Sequence, residues 1–94
     1  MNTKTTKLLL RAIDIWGIHG QVTKTVEELA ELTVELAKFL NYDGSIDRIC
    51  DEIADVQIML DQMKLIHGPG KVNARIQVKL NRLEGTLKGE DSDE

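Results

Sequence analysis

Apolar residues recur at helical spacing through most of the chain, and no stretch alternates between apolar and polar residues as a half-exposed strand would. The pattern predicts four helices, at residues 3–16, 21–40, 46–66 and 72–87. Glycine-rich or polar segments separate them: GIHG at 17–20, NYDGS at 41–45 and HGPG at 67–70. Ser45 is the expected N-cap of the third helix. The sequence therefore predicts an all-α fold.

One domain at residues 1–88 holds these helices, and the remaining segment, GEDSDE at 89–94, lacks apolar anchors and is expected to be a disordered acidic tail. A chain of 94 residues buries only a modest core. The first and fourth helices carry a surplus of apolar residues, which favours self-association. We therefore expect a four-helix bundle that assembles as a homo-oligomer, either a homodimer or a homotetramer.

Composition and charge narrow the function classes. A net charge of -4 and an aromatic content of 3% disfavour nucleic acid as a partner, because neither a basic field nor a stacking surface is present. No apolar run is long enough for a membrane span, and the N-terminal segment does not resemble a signal peptide. The single cysteine, Cys50, excludes an intramolecular disulfide, and we expect an inert core thiol. A cytoplasmic protein is the expectation.

Acidic residues lie beside the apolar arcs of the second and third helices. The arc of the second helix is predicted to contain Leu29, Leu32, Thr33, Leu36 and Leu40, and that of the third to contain Ile49, Ile53, Val56, Leu60 and Met63. Glu28 lies at the border of the first arc, with Glu31 one step further out. Glu52 falls inside the second arc, and Asp55 follows one turn later. Each pair has i, i+3 spacing, which places both carboxylates on one face of its helix.

Carboxylates at a packing seam require neutralisation, since acidic residues are almost never fully buried without a partner. A cation between the two helices satisfies four facing carboxylates, and an all-oxygen ligand set suits Mg²⁺ or Mn²⁺. The alternative is a solvated acidic face, neutralised by Lys24, Lys38 or Arg48. A ferritin-like di-iron site needs Glu-x-x-His pairs, and neither His19 nor His67 completes one.

The two acidic segments together resemble a known signature. EELAE at 27–31, followed after twenty residues by EIAD at 52–55, is similar to the E-E-x-x-E … E-x-x-D motif of the MazG-like all-α nucleoside triphosphate pyrophosphohydrolases. That superfamily also includes dimeric dUTPases and dCTP pyrophosphatases. The resemblance covers about residues 21–66. It implies a Mg²⁺-dependent hydrolase, with Mn²⁺ as a substitute, which cleaves an NTP or dNTP to the monophosphate and pyrophosphate and serves nucleotide-pool control.

The resemblance also implies roles for individual residues. The metal ligands would be Glu28, Glu31, Glu52 and Asp55. Glu27 matches the first glutamate of the motif, which in the family bears on a second metal or on orienting water, and we expect it to take the proton of the attacking water. We expect Lys79 and Arg82 to contact phosphate, and Trp16 and His19 to contact the base, although a solvated basic face and a core tryptophan are the simpler alternatives.

Two other functions stay open at this point. One is a non-catalytic helical interaction module, in which the acids pair with basic residues. The other is a protein that binds nucleotide without hydrolysis. The chain is far shorter than the tandem-domain MazG proteins and the dimeric dUTPases, and its residues do not specify a base or a sugar.

Overall fold

The computed structural model describes residues 1–92, which fold into three helices: α1 (Thr3–Leu40), α2 (Ile46–His67) and α3 (Pro69–Ser92). No strand occurs in that range, so the all-α prediction is confirmed. Helix α3 continues past residue 88, where the sequence predicts that the domain ends. The last two residues of the predicted tail, 93–94, lie outside the described residues.

The predicted break between the first two helices is present at Gly17, where it kinks one long helix. Gly17 is the only residue of the GIHG segment with a non-helical backbone, at φ 79° and ψ 159°, and the helix resumes at Ile18. A positive φ is accessible to glycine, so this residue kinks α1 without ending it. The chain therefore supplies three helices rather than the four of the predicted bundle.

Caps at the helix ends agree with the sequence. The Asn2 side chain accepts a hydrogen bond of 2.8 Å from the backbone N–H of Thr5, and Ser45 accepts one of 3.3 Å from Arg48. The predicted N-cap at Ser45 is thus confirmed. Helix α2 ends at Gly68, whose φ of 110° favours glycine and whose N–H bonds to the Lys64 carbonyl at 2.8 Å.

Helices α1 and α2 form an antiparallel hairpin, because a loop of only five residues joins them. Glu28 of α1 lies near Glu52 of α2 at the middle of the pair. At the far end, the Gln62 side chain is 1% exposed and donates a 3.3 Å hydrogen bond from Nε2 to the Leu9 carbonyl. The surface along which these helices touch is called the seam below.

The seam is half polar. Four apolar residues are buried, namely Leu9, Ile49, Val56 and Met59, alongside four polar ones, Gln21, Thr25, Glu28 and Gln62. On α1 the buried positions follow a helical stripe at residues 21, 25 and 28, with Leu32 and Glu35 half-buried. Most of this α1 stripe is polar, so it differs from the leucine-rich arc that the sequence predicts.

The predicted apolar arcs are therefore wrong at several positions. Leu29, Leu36 and Leu40 on α1, and Ile53 and Leu60 on α2, are exposed. Cys50, expected in the core, is exposed as well. Leu29 and Leu36 each follow a seam position by one residue, which amounts to a rotation of about 100°.

Helix α3 packs only on α2. Val72 and Ile76 of α3 line a cavity together with Leu60 and Met63 of α2, and α3 does not contact α1 within the described part of the chain. The molecule is consequently flat and extended, measuring 54 × 37 × 22 Å. Among the described residues, no helix combines the length and apolar character needed to cross a membrane.

Candidate metal centre

Three glutamates converge at the middle of the seam. Glu28 and Glu31 lie one helical turn apart on α1, and Glu52 faces them from α2. One carboxylate oxygen from each lies within 4.8 Å of the other two. The structure thus brings together three of the four acids that the sequence proposes as metal ligands.

Burial separates this cluster from an ordinary acidic surface. Glu28 is only 6% exposed, and its Oε2 atom is buried without a hydrogen-bond partner. The Oε2 atom of Glu52 is also buried and unpartnered. An unsatisfied carboxylate oxygen away from water is costly, so a buried group of this kind calls for a partner. The two orphaned oxygens are the observation that fits a bound cation.

Two lysines form ion pairs with glutamates of α1, but each contacts only one carboxylate oxygen. Lys24 Nζ lies 3.0 Å from Glu28 Oε1, and Lys38 Nζ lies 3.3 Å from Glu35 Oε1. The sequence-based alternative, in which lysines pair with the acids, is therefore partly realised. It leaves the second oxygen of both glutamates unpartnered, because each lysine contacts one oxygen only.

The closeness of these charged groups changes the pKa values of Glu52 and Lys24. Burial raises the pKa of Glu52, and the carboxylates of Glu31, Glu28 and Asp55 raise it further, as does a hydrogen bond with Glu31. The pKa of Lys24 is also raised, first by its hydrogen bond with Glu28 and then by that carboxylate's charge. Ionisation of Glu52 is therefore disfavoured, and a divalent cation beside it would favour the charged form.

Glu35 is an acid that the sequence reasoning did not assign to the site. Its Oε2 atom is buried without a partner, and it lines a cavity of about 240 Å³ together with Glu31 and Glu52. The sequence feature that could have assigned Glu35 to the site is its spacing. Glu35 follows Glu31 by four residues and Glu28 by seven, so all three lie on the same stripe of α1.

Two predicted site residues lie beside the cluster rather than in it. Asp55 is exposed one turn after Glu52 and is not one of the three converging acids. Glu27 is exposed on α1 and lines a separate, larger cavity. Each is nevertheless close in the chain to one of the three converging glutamates, Asp55 to Glu52 and Glu27 to Glu28.

That larger cavity, of about 580 Å³, opens between α1 and α2 next to the acids. Its lining is mostly apolar and includes Leu9, Ala12, Trp16, Ile58 and Met59, with Lys24 and Glu27 among its polar residues. Trp16, one of the two predicted base contacts, is therefore part of a pocket. His19, the other, is exposed and is not among the residues that line it.

The predicted phosphate contacts lie elsewhere within one chain. Lys79 and Arg82 are exposed on α3, which does not contact α1. Neither forms an ion pair with the acidic cluster. The basic residue that the structure places between the acids and the large cavity is Lys24, which the sequence suggested only as an ion-pair partner.

The donor set is suited to one class of metal. Carboxylate oxygens alone, with no cysteine or histidine in the cluster, are ligands for Mg²⁺ or Mn²⁺ rather than zinc. Clusters of exposed acids also occur in proteins that bind no metal, so the burial of Glu28 and Glu52 is the discriminating feature. No family model, curated protein or solved structure matches this chain.

Proposed function

We propose that this chain is a Mg²⁺-dependent nucleoside triphosphate pyrophosphohydrolase, which releases pyrophosphate from an NTP or dNTP. The observation that carries the proposal is the convergence of Glu28, Glu31 and Glu52 with two buried carboxylate oxygens unpartnered. The resemblance of EELAE … EIAD to the MazG-like motif supports the reaction type, since the converging acids belong to both halves of that motif.

In this proposal Glu28, Glu31 and Glu52 hold the cation, and Asp55 joins them as a further ligand. The bound cation supplies charge neutralisation of the phosphate oxygens and lowers the pKa of a coordinated water. Ordered ligands on two rigid helices keep the carboxylates in place, so little reorganisation accompanies substrate binding. Glu27, at the edge of the large cavity, is the proposed acceptor for the proton of the attacking water.

The large cavity is the proposed site of the nucleoside. Its apolar lining and its position beside Glu27 and Lys24 suit a ligand with one flat apolar end and one anionic end. The exposed ring of Trp16 offers a stacking surface to the base. Lys24 is placed to contact a phosphate, whereas Lys79 and Arg82 would need to come from another copy of the chain.

The test is a product assay over a panel of canonical and modified NTPs and dNTPs, with Mg²⁺, Mn²⁺ or EDTA. We expect metal-dependent pyrophosphate, rather than orthophosphate, from at least one nucleotide. Glu31→Gln is the informative variant, because this carboxylate is exposed and its loss leaves packing unchanged. The matched control is Glu84→Gln on α3, which removes an equal charge from an exposed pair with Lys88.

Loss of activity in Glu31→Gln, with a melting temperature no lower than that of the wild type and an active Glu84→Gln, would support the proposed site. If no nucleotide yields pyrophosphate with either metal, the hydrolase proposal fails. Nucleotide binding without turnover would then indicate a binding protein. Neither binding nor turnover would leave the helical interaction module as the remaining candidate.

A further inference from the structure

Two glutamine side chains lie in the wall of the large cavity between α1 and α2. Gln21 of α1 is 7% exposed and Gln62 of α2 is 1% exposed, and both line the cavity of about 580 Å³. Buried amides normally form hydrogen bonds, because an unpaired polar atom away from water is costly. The hydrogen bonds that these two amides lack therefore indicate which kind of ligand suits the cavity.

The amide of Gln62 has a fixed orientation. Its Nε2 atom donates a 3.3 Å hydrogen bond to the backbone carbonyl of Leu9. Because a carbonyl oxygen can only accept, the NH₂ group must face Leu9, and this determines which way the amide is turned. The other polar atom, Oε1, is buried and has no hydrogen-bond partner. Gln62 therefore contributes a fixed, unsatisfied acceptor to the cavity wall.

The amide of Gln21 is not fixed in this way. The Thr25 hydroxyl donates a 2.8 Å hydrogen bond to the backbone carbonyl of Gln21, but the side-chain amide has no partner in the part of the chain that the structure describes. A carboxamide that can rotate offers a donor or an acceptor, as the ligand requires. Gln21 is thus suited to either kind of group, whereas the fixed acceptor of Gln62 distinguishes between them.

Two of the donors that line the cavity already have partners. The Thr23 hydroxyl donates to the His19 carbonyl at 3.0 Å, and Lys24 Nζ lies 3.0 Å from Glu28 Oε1. Glu27, a further residue of the lining, has only acceptor atoms when it is ionised. Acceptors therefore predominate among the unsatisfied groups of the wall, and a ligand that carries an N–H donor is complementary to them.

The distance between Gln62 and the acidic cluster suits a nucleotide. Ten residues separate Glu52 from Gln62, which is about 15 Å along α2. A nucleoside triphosphate is of comparable length. A triphosphate bound through a cation at the acids would therefore have its base near Gln62, at the apolar end of the cavity.

We propose that the large cavity selects a nucleobase with an exocyclic amino group, adenine or cytosine, over one with an oxygen in its place, hypoxanthine or uracil. The amino group donates to Gln62 Oε1, and the ring nitrogen beside it accepts from the Gln21 amide. The oxygen of hypoxanthine or uracil would face the Gln62 acceptor and leave that atom unsatisfied. This proposal rests on the proposed function, because it takes the ligand to be a nucleotide.

Two pairs of nucleotides that differ only at this group and the ring nitrogen beside it provide the test. They are cytidine against uridine monophosphate, and adenosine against inosine monophosphate. As products of the proposed reaction they bind without turnover, so isothermal titration calorimetry with Mg²⁺ measures their dissociation constants. We expect the amino member of each pair to bind about tenfold to a hundredfold more tightly. Fluorescence of Trp16, the single tryptophan of the chain, reports whether the ligand enters the cavity that this ring lines.

Three glutamine-to-methionine variants identify the residue responsible. Gln62→Met keeps the length of the side chain and removes the acceptor, so it should bring the affinity ratio of each pair close to one. Gln21→Met should weaken both members of a pair alike and preserve the ratio. Gln57→Met is the matched control, because Gln57 is exposed on α2 and does not line this cavity, and it should change neither affinity nor ratio.

The wild-type measurement alone can overturn the proposal. Equal affinity within both pairs, tighter binding of the oxygen-bearing members, or no binding at millimolar concentration would each do so. A preference that Gln62→Met retains would also overturn it. Release of pyrophosphate from dCTP and dUTP at equal kcat/KM would remove the base preference and leave the hydrolase. A protein that binds the amino-bearing monophosphates more tightly and hydrolyses no triphosphate would retain the base preference and exclude the hydrolase.

Discussion

Replacement of Glu52 by glutamine should make the metal-free protein more stable while removing its response to Mg²⁺. Glu52 is half-buried. Burial is the largest cause of the raised pKa of its carboxyl, and the nearby charges of Glu31, Glu28 and Asp55 raise that pKa further. Glutamine keeps the shape and removes the charge. The melting temperature of Glu52→Gln in EDTA at pH 8 should therefore exceed that of the wild type.

The expected rise in melting temperature with Mg²⁺ follows from the coupling between metal binding and folding. A cation at ten times its dissociation constant stabilises the native state by about 1.4 kcal/mol. For 94 residues the unfolding entropy is about 0.2 kcal/mol/K, so the wild-type melting temperature should rise by about 7 °C. Loss of a ligand that weakens binding about a hundredfold leaves a rise below about 1 °C.

The assay is a thermal melt at fixed protein concentration in EDTA or MgCl₂, with NaCl added to equalise ionic strength. Glu84→Gln is the control, because it removes an exposed charge from an ion pair remote from the cluster and should keep the full Mg²⁺ response. The reasoning is refuted by a Glu52→Gln protein that melts below the wild type in EDTA and still gains about 7 °C from Mg²⁺.

Three further outcomes follow from the same structure. Because the folded pKa of Glu52 is raised above its ordinary value, the native state binds the proton more tightly, and stability is lost as pH rises through that pKa. The stability advantage of Glu52→Gln in EDTA should thus be largest near pH 8 and shrink toward pH 5 in a series of melts. Gly44→Ala should cost about 2 kcal/mol in urea unfolding, since the new Cβ would lie 2.7 Å from the Phe39 Cα, whereas Gly70→Ala, with open space around it, should gain about 0.5–1 kcal/mol. Replacing both Glu28 and Glu52 by methionine should raise the metal-free melting temperature and abolish the Mg²⁺ response, and a lower melting temperature would contradict the view that these carboxylates strain the seam.

The sequence predicts much of the local structure correctly because local signals determine it. Helical spacing and the side-chain cap at Ser45 specify where α2 begins, and both are confirmed. The i, i+3 spacing of Glu28 and Glu31 is also sufficient to place them on one face of α1. The position of Glu52 opposite them required the hairpin, which the short loop at 41–45 supplies.

The sequence does not determine which surface packs against each stripe of a helix. Periodicity identifies Leu29, Leu36 and Leu40 as one apolar stripe, but it does not say whether α2 or another molecule covers that stripe. The sequence predicts the break at Gly17, but it does not predict that the helix resumes directly after it. A glycine at a helix end and a glycine at a kink look alike in sequence.

The orientation of α1 bears on the proposed metal centre. If α1 turned by about 100°, Val22 and Leu29 would pack on α2 and form a larger core within one chain, while Glu28 would point to solvent. The observed orientation does the opposite: it buries Glu28 opposite Glu52 and leaves the apolar stripe outside. A monomer would lose stability on both counts. In the proposed function, a cation that neutralises the buried carboxylates would remove the first of these two costs.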